Sequence, residues 1–170
     1  MTRYRIVPER SRVVIDGRSS IHPIHSSTEG LEGSVELEID ADGHVVPSPA
    51  IAGSVSFPAD RLSSGNRLED RELQRRIDTR RYPHIEGTLS SIERSGDGSY
   101  RVSGEIRFRG VVRNKTDEMK IERLNADTVH LSGSSTFDIR DYGMEPPRIL
   151  AFRVEPEVRV SVDITAVRED

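Results

Sequence analysis

The sequence predicts an all-β protein: a single closed antiparallel β-barrel of about eight strands, with one short helix at residues 66–78. Three observations carry this. Apolar and polar residues alternate with a period of two in segment after segment, the pattern of strands with one face in a core and one in water. Asp42-Gly43, Asp97-Gly98 and Asn125-Ala126-Asp127 stand between such segments and suit hairpin connections. One polar stretch alone switches to helical spacing. A closed barrel is preferred to an open sheet because closure removes exposed edges.

Taken in chain order, Tyr4-Arg5-Ile6 opens a first strand. Val35, Leu37 and Ile39 alternate with Glu36 and Glu38, and Ile51, Gly53, Val55 and Phe57 share a face. Tyr100, Val102, Gly104, Ile106, Phe108 and Gly110 form a long inner face opposite Arg101, Glu105, Arg107 and Arg109. Val129, Leu131, Gly133, Ser135, Phe137 and Ile139 form another, and Val158, Val160, Val162 and Ile164 close the chain. Gly33, Gly65 and Gly87 fit bends or bulges.

The helix has its own start and stop. Asn66 is a good N-cap, and Glu69 three residues later has capping-box spacing. Leu73 and Ile77, four apart, share one face. Pro83 blocks continuation and biases Tyr82 toward extended geometry. A single capped helix between strands suits a lid or plug at one end of the barrel.

Composition bounds the function. A chain of 170 residues suits one domain, 1–170. With no Cys, disulfides, thiol catalysis and thiolate metal sites are excluded. A net charge of −4 does not favour nucleic acid. No apolar run resembles a signal segment or a membrane span, so a cytoplasmic location is expected. There is no Gly-x-Ser-x-Gly elbow, no phosphate-cradling glycine loop and no dinucleotide fingerprint, so neither catalysis nor a cofactor is expected.

The inward faces bear on binding. Gly53, Gly104 and Gly133 interrupt them, and four Phe, four Tyr and no Trp leave few large side chains to fill a barrel. An eight-stranded barrel can hold a small ligand or be packed by its own residues. Small inner residues favour a dry apolar cavity suited to an elongated lipid. The competing view is that the glycines only allow curvature, with Val, Ile and Leu filling the centre.

Four stretches also resemble one family. Arg67-Leu-Glu-Asp70-Arg71-Glu72-Leu73 followed by Asp78-Thr-Arg-Arg-Tyr82-Pro83 resembles the signature of the YceI-like family of lipocalin-type barrels. Val102-Ser-Gly104-Glu-Ile-Arg-Phe-Arg-Gly110-Val resembles its Val-Thr-Gly-x-Leu-Thr-x-x-Gly-Val strand. Phe137-Asp-Ile-Arg140-Asp141-Tyr142-Gly143-Met resembles its Asn-Arg-x-x-Phe-Gly-Ile run, and Tyr4-Arg-Ile6 suits its opening strand. Glu72 stands where that family usually has His, the spacer before Asp78 is about two residues short, and Ile77 replaces an aromatic pair. The resemblance implies a lipocalin-like fold and a polyisoprenoid or prenyl quinone inside the barrel.

The expected ligand-binding residues are Val55, Phe57, Val102, Ile106, Phe108 and Phe137 from strands, with Leu73 and Ile77 from the helix. Asp70 and Arg71 either orient a head group or pair with neighbours to fix the helix on the rim, the second being preferred. Arg75, Arg76, Arg80 and Arg81 read as a solvated rim, with docking to anionic lipid as the alternative. His22-Pro-Ile-His25, with His84 as a remote third ligand, has a chelating spacing. Positions 22 and 25 of a strand point to opposite faces, so no metal site is expected and His25 is placed at a pocket mouth. The expected function is non-catalytic binding or carriage of a long apolar lipid, with every ionisable side chain kept out of the interior beyond the helix rim. A lipid cyclase or isomerase, and a filled-barrel stress or interaction protein, are the alternatives. Peripheral membrane contact and a homodimer are left open.

Overall fold

The computed structural model describes residues 1–20, 23–48, 51–149 and 152–169. Ten strands form one sheet: β1 (Thr2–Ile6), β2 (Arg12–Arg18), β3 (Pro23–Glu29), β4 (Glu32–Leu37), β5 (Gly53–Pro58), β6 (His84–Gly96), β7 (Ser99–Phe108), β8 (Val111–Asn125), β9 (Thr128–Asp138) and β12 (Glu157–Arg168). Two short strands, β10 (Arg148–Ile149) and β11 (Phe152–Arg153), pair apart from it. Helix α1 (Arg67–Ile77) lies between β5 and β6.

The sheet closes. Its order runs β1-β4-β5-β6-β7-β8-β9-β12, and β12 pairs back onto β1 through Ile6↔Ala166 and Tyr4↔Arg168. β2 continues β1 along β12, from Asp163↔Arg12 to Arg159↔Asp16, and β3 in turn pairs with β2. The first two barrel staves are therefore each broken once, giving an antiparallel barrel of eight staves.

The long staves meet in hairpins. Gly98 at the β6–β7 turn has φ 69°. The β7–β8 hairpin turns at Arg109 (φ 53°) and Gly110 (φ 73°), both left-handed, as a type I′ connection requires. Phe108↔Val111 closes that turn. Gly110 thus lies in a turn rather than on the inner face, and Arg109 is not an outer-face strand charge. Its Nη1 donates to the carbonyls of Tyr142 and Gly143.

α1 forms as its sequence dictates. Asn66 Oδ1 accepts from the N–H groups of Leu68 (3.0 Å) and Glu69 (3.2 Å). Asp78, in a left-handed conformation, ends the helix by donating its N–H to the Gln74 carbonyl.

The two ends of the barrel differ in packing. At the end of the β6–β7 and β8–β9 turns, Tyr100, Ile92, Val129 and Ala166 are at most 1% exposed and fill the interior. The phenol of Tyr100 also accepts the Val45 N–H at 2.8 Å. At the other end, next to α1, inner-face residues of the same strands are only half-buried.

Candidate functional site

Followed along single strands, this change locates the site. On β7, Tyr100 is fully buried, while Val102, Ile106 and Phe108 are half-buried. On β6, Ile92 is buried, and Leu89 and Ile85 are half-buried. On β12, Ala166 and Ile164 are buried, and Val162, Val160 and Val158 are half-buried. These residues share the inner face, a β-bulge between Leu89 and Ser91 bringing Ile92 onto it, so the surface they expose faces a void. That void is a cavity of about 400 Å³, lined overwhelmingly by apolar side chains and reaching from mid-barrel to α1.

The cavity is not simply a product of small residues. A Cβ on Gly104 would stand 2.4 Å from the Thr88 carbonyl oxygen, and one on Gly33 2.0 Å from that of Ser54. Glycine is needed there for strands to approach closely. A Cβ on Gly53 would press on Val35 and Leu89 at 3.2–3.3 Å. Curvature and cavity therefore coexist: the glycines let strands approach closely, while Val, Ile and Leu side chains line the void.

Of the residues expected at the site, Val55, Phe57, Leu73, Ile77, Val102, Ile106, Phe108, Phe137 and Asp70 all line the cavity. His25 and Arg71 do not. Ile24 and Ser26 take the inward positions of β3, so alternation turns His25 outward, where its Nδ1 pairs with the carboxylate of Asp16 on β2. Arg71 lies on the exposed face of α1. His22 lies outside the described residues.

Asp70 is held by the rim. Its Oδ1 accepts from the Ser64 N–H at 2.8 Å and the Ser64 Oγ–H at 2.7 Å. Ser63 in turn exchanges backbone hydrogen bonds with Ser27 of β3 at 3.0 Å in both directions. Glu72 accepts from Arg75 (3.1 Å) and Arg76 (3.0 Å), and Arg76 reaches Glu145 at 3.3 Å in the loop before β10. The Arg75 hydrogen bond, with that of Arg76, holds the Glu72 carboxyl below the usual carboxylate range. Helix and loop are thereby joined beside the cavity.

Tyr142 and Met144 complete this end. Tyr142, 4% exposed, meets Phe108 edge-on at 5.7 Å between centroids and Phe137 at 6.4 Å. Burial, with the nearby Asp141 carboxylate, raises the Tyr142 phenol above its ordinary value.

Among the described inner-face residues of β8, two ionisable ones line the cavity beyond the rim, against expectation: Asp117 is part-buried, and the Lys115 ammonium reaches solvent. Lys115, Asp117 and Met119 alternate onto the inner face of β8, continuing from buried Ile121. Asp117 Oδ2 accepts from Ser135 Oγ at 2.6 Å, and Lys115 Nζ donates to the Thr136 carbonyl at 2.6 Å while lying 4.7 Å from the Phe137 ring centroid. The expectation failed because a strand face can carry polar residues in phase with its apolar ones.

Among the described residues, one group could gather an ion: Asp40, Asp42 and His44 in the turn after β4. Asp40 Oδ1 is already taken there by the backbone N–H groups of Asp42 and His44, both at 2.9 Å. No helix of the described residues is long and apolar enough to cross a membrane.

A family model for the YceI-like domain matches residues 4–166. The chain belongs to the YceI-like family. Solved structures share its barrel at low sequence identity. BcnA of Burkholderia cenocepacia superposes with a TM-score of 0.78 at 14% identity, over 94% of this chain and 98% of that one. A polyisoprenoid binding domain from Saccharophagus degradans, implicated in plant cell wall breakdown, gives 0.76 at 12% identity over 99% and 100%. A YceI protein of Campylobacter jejuni gives 0.62 at 13% over 82% of each chain. Likeness at these identities speaks to fold alone. No curated protein sequence matches the chain.

Proposed function

We propose that this YceI-like barrel binds a long apolar lipid of the isoprenoid class non-covalently and carries or sequesters it unchanged. One observation carries the reading: the inner faces of β6, β7 and β12 pass from fully buried to half-buried along their length, opening a cavity of about 400 Å³ lined by side chains such as Val102, Leu89 and Val160. That size lies within the range of small-molecule sites. Each methylene transferred from water into such a lining contributes roughly 0.8 kcal/mol before the costs of binding. Membership of the family and the polyisoprenoid-binding relative support lipid binding in general. A cavity lined by residues of several strands at one side and by Leu73 and Ile77 of α1 at the other suits an apolar ligand entering from the α1 end.

Mass spectrometry of an organic extract of the protein purified under mild conditions tests this. Stoichiometric recovery of a prenyl lipid is expected. An extract free of lipid, from protein that also fails to take up added prenyl lipid, would overturn the reading.

A further inference from the structure

The wall of the barrel is not evenly zipped. The β8–β9 ladder runs from Asn125↔Thr128 to Met119↔Gly133 and stops there among the described residues. Both strands continue. β8 stays paired with β7 down to Val111, and β9 stays paired with β12 down to Asp138. Continued in the same register, the seam would set Asp117 opposite Ser135 and Lys115 opposite Phe137. Those are the pairs that touch, but through side chains: Ser135 Oγ donates to Asp117 Oδ2 at 2.6 Å, and Lys115 packs its ammonium 4.7 Å from the Phe137 ring. The Thr136 carbonyl takes its hydrogen bond from Lys115 Nζ. Side-chain bridges have replaced the backbone ladder over the lower half of this seam.

Phe137, Ser135, Asp117 and Lys115 all line the cavity. The seam is therefore a polar strip set into an otherwise apolar wall, with the Lys115 ammonium at its solvent-reaching edge. A carboxylate part-buried against an apolar cavity, as Asp117 is, is costly unless something pairs with it. The ammonium has three N–H donors, of which the Thr136 carbonyl takes one. An ionised carboxylate accepts at up to about four lone-pair positions, of which Ser135 takes one.

We propose that this β8–β9 seam is the head-group subsite of the cavity, and that it selects an amphiphile with an uncharged hydroxyl head. A hydroxyl both accepts and donates, so it can take a hydrogen bond from Lys115 and give one to Asp117. A phosphorylated head only accepts when ionised, and would set negative charge beside the Asp117 carboxylate. A pure hydrocarbon leaves both charged groups without the added partner. The assignment rests on the lipid-binding reading and deepens it, naming the polar end of the same ligand.

The test compares three probes on delipidated protein: a polyprenyl alcohol, its monophosphate, and squalene. The alcohol is expected to bind tightest, and Lys115→Met to cut its advantage over squalene by roughly tenfold, the worth of one hydrogen bond to a charged group. A second measurement needs no variant. Lys115 and Lys120 are the chain's two lysines, and Lys120 is on the exposed outer face. Acylation by a small amine-reactive ester should be slowed at Lys115 by the alcohol, with Lys120 as internal reference. Equal affinity for the three probes with Lys115 unprotected, or tighter binding of the monophosphate, would overturn the subsite and leave the lipid-binding reading standing. Failure to bind any of the three would overturn both.

Discussion

Asp70 and Ser64 are locked together: one carboxylate oxygen of the helix residue accepts both the backbone N–H and the hydroxyl of the rim residue, at 2.8 and 2.7 Å. This pair ties the first turns of α1 to the segment that bridges β3, and so holds the lid on the cavity. Asp70→Ala should cost about 1–3 kcal/mol, the range for leaving such donors unsatisfied. In a domain of this size that is a fall in Tm of several degrees, at roughly 2–4 °C per kcal/mol. Calorimetry reads the stability. Faster release of bound lipid should accompany it, and an unchanged Tm would mean that the pair does not hold the lid.

The cap one turn earlier makes a separable contribution. Asn66→Ala removes the acceptor for the Leu68 and Glu69 N–H groups and should cost about 1 kcal/mol. Asn66→Ser should restore most of it, because a hydroxyl also caps. Denaturant unfolding of the pair of variants checks this.

Filling the cavity should separate binding from folding. Val102 is half-buried beside the void, so a larger side chain has room to enter it. Val102→Trp should lower lipid capacity at least tenfold while the fold is retained, judged by far-ultraviolet circular dichroism. The new indole would be the chain's sole Trp. Its fluorescence should therefore report an apolar environment, and a water-exposed emission maximum would show that the side chain is not in the cavity.

Acid should loosen the lid. Glu72 titrates below the ordinary carboxylate range because Arg75 and Arg76 bind its ionised form. A group whose native value is depressed stabilises above its unfolded value and loses that contribution as pH falls through the native one. Stability should thus decline below about pH 4.5, in part through the Glu72–Arg76–Glu145 link. Glu72→Gln should flatten this part of the profile. An identical pH dependence in wild type and variant would assign the acid response elsewhere.

Much of this barrel is legible in the alternation of its strands. Val158, Val160, Val162 and Ile164 predict β12, and the Asn66 cap and the Leu73–Ile77 spacing place the helix within a residue of its observed bounds at each end. What escapes sequence reading has physical causes. The β7–β8 turn is hidden because Arg109 is not a residue that ordinarily signals positive φ; its side chain is held instead by the carbonyls of Tyr142 and Gly143. The polar strip is hidden because Lys115 and Asp117 share the period of Met119 and Ile121, and the splayed seam that accommodates them depends on β9, a partner distant in sequence. His25 goes to the outside because the register of β3 was set by Ile24 and Ser26, a choice of phase that a segment with His, Ser and Thr does not declare.

A carrier role requires that the cavity hold lipid without altering it. Lys115 and Asp117 line the cavity, and an enzyme would need an acid or base of this kind near the reacting carbon. The most direct measurement is to incubate delipidated protein with a prenyl quinone and a polyprenyl alcohol, titrate to saturation, and analyse the lipid recovered. Saturable binding near one equivalent and return of chemically unchanged ligand are expected. A cyclised or isomerised product whose formation disappears in Asp117→Asn would contradict the carrier role and identify the barrel as a catalyst.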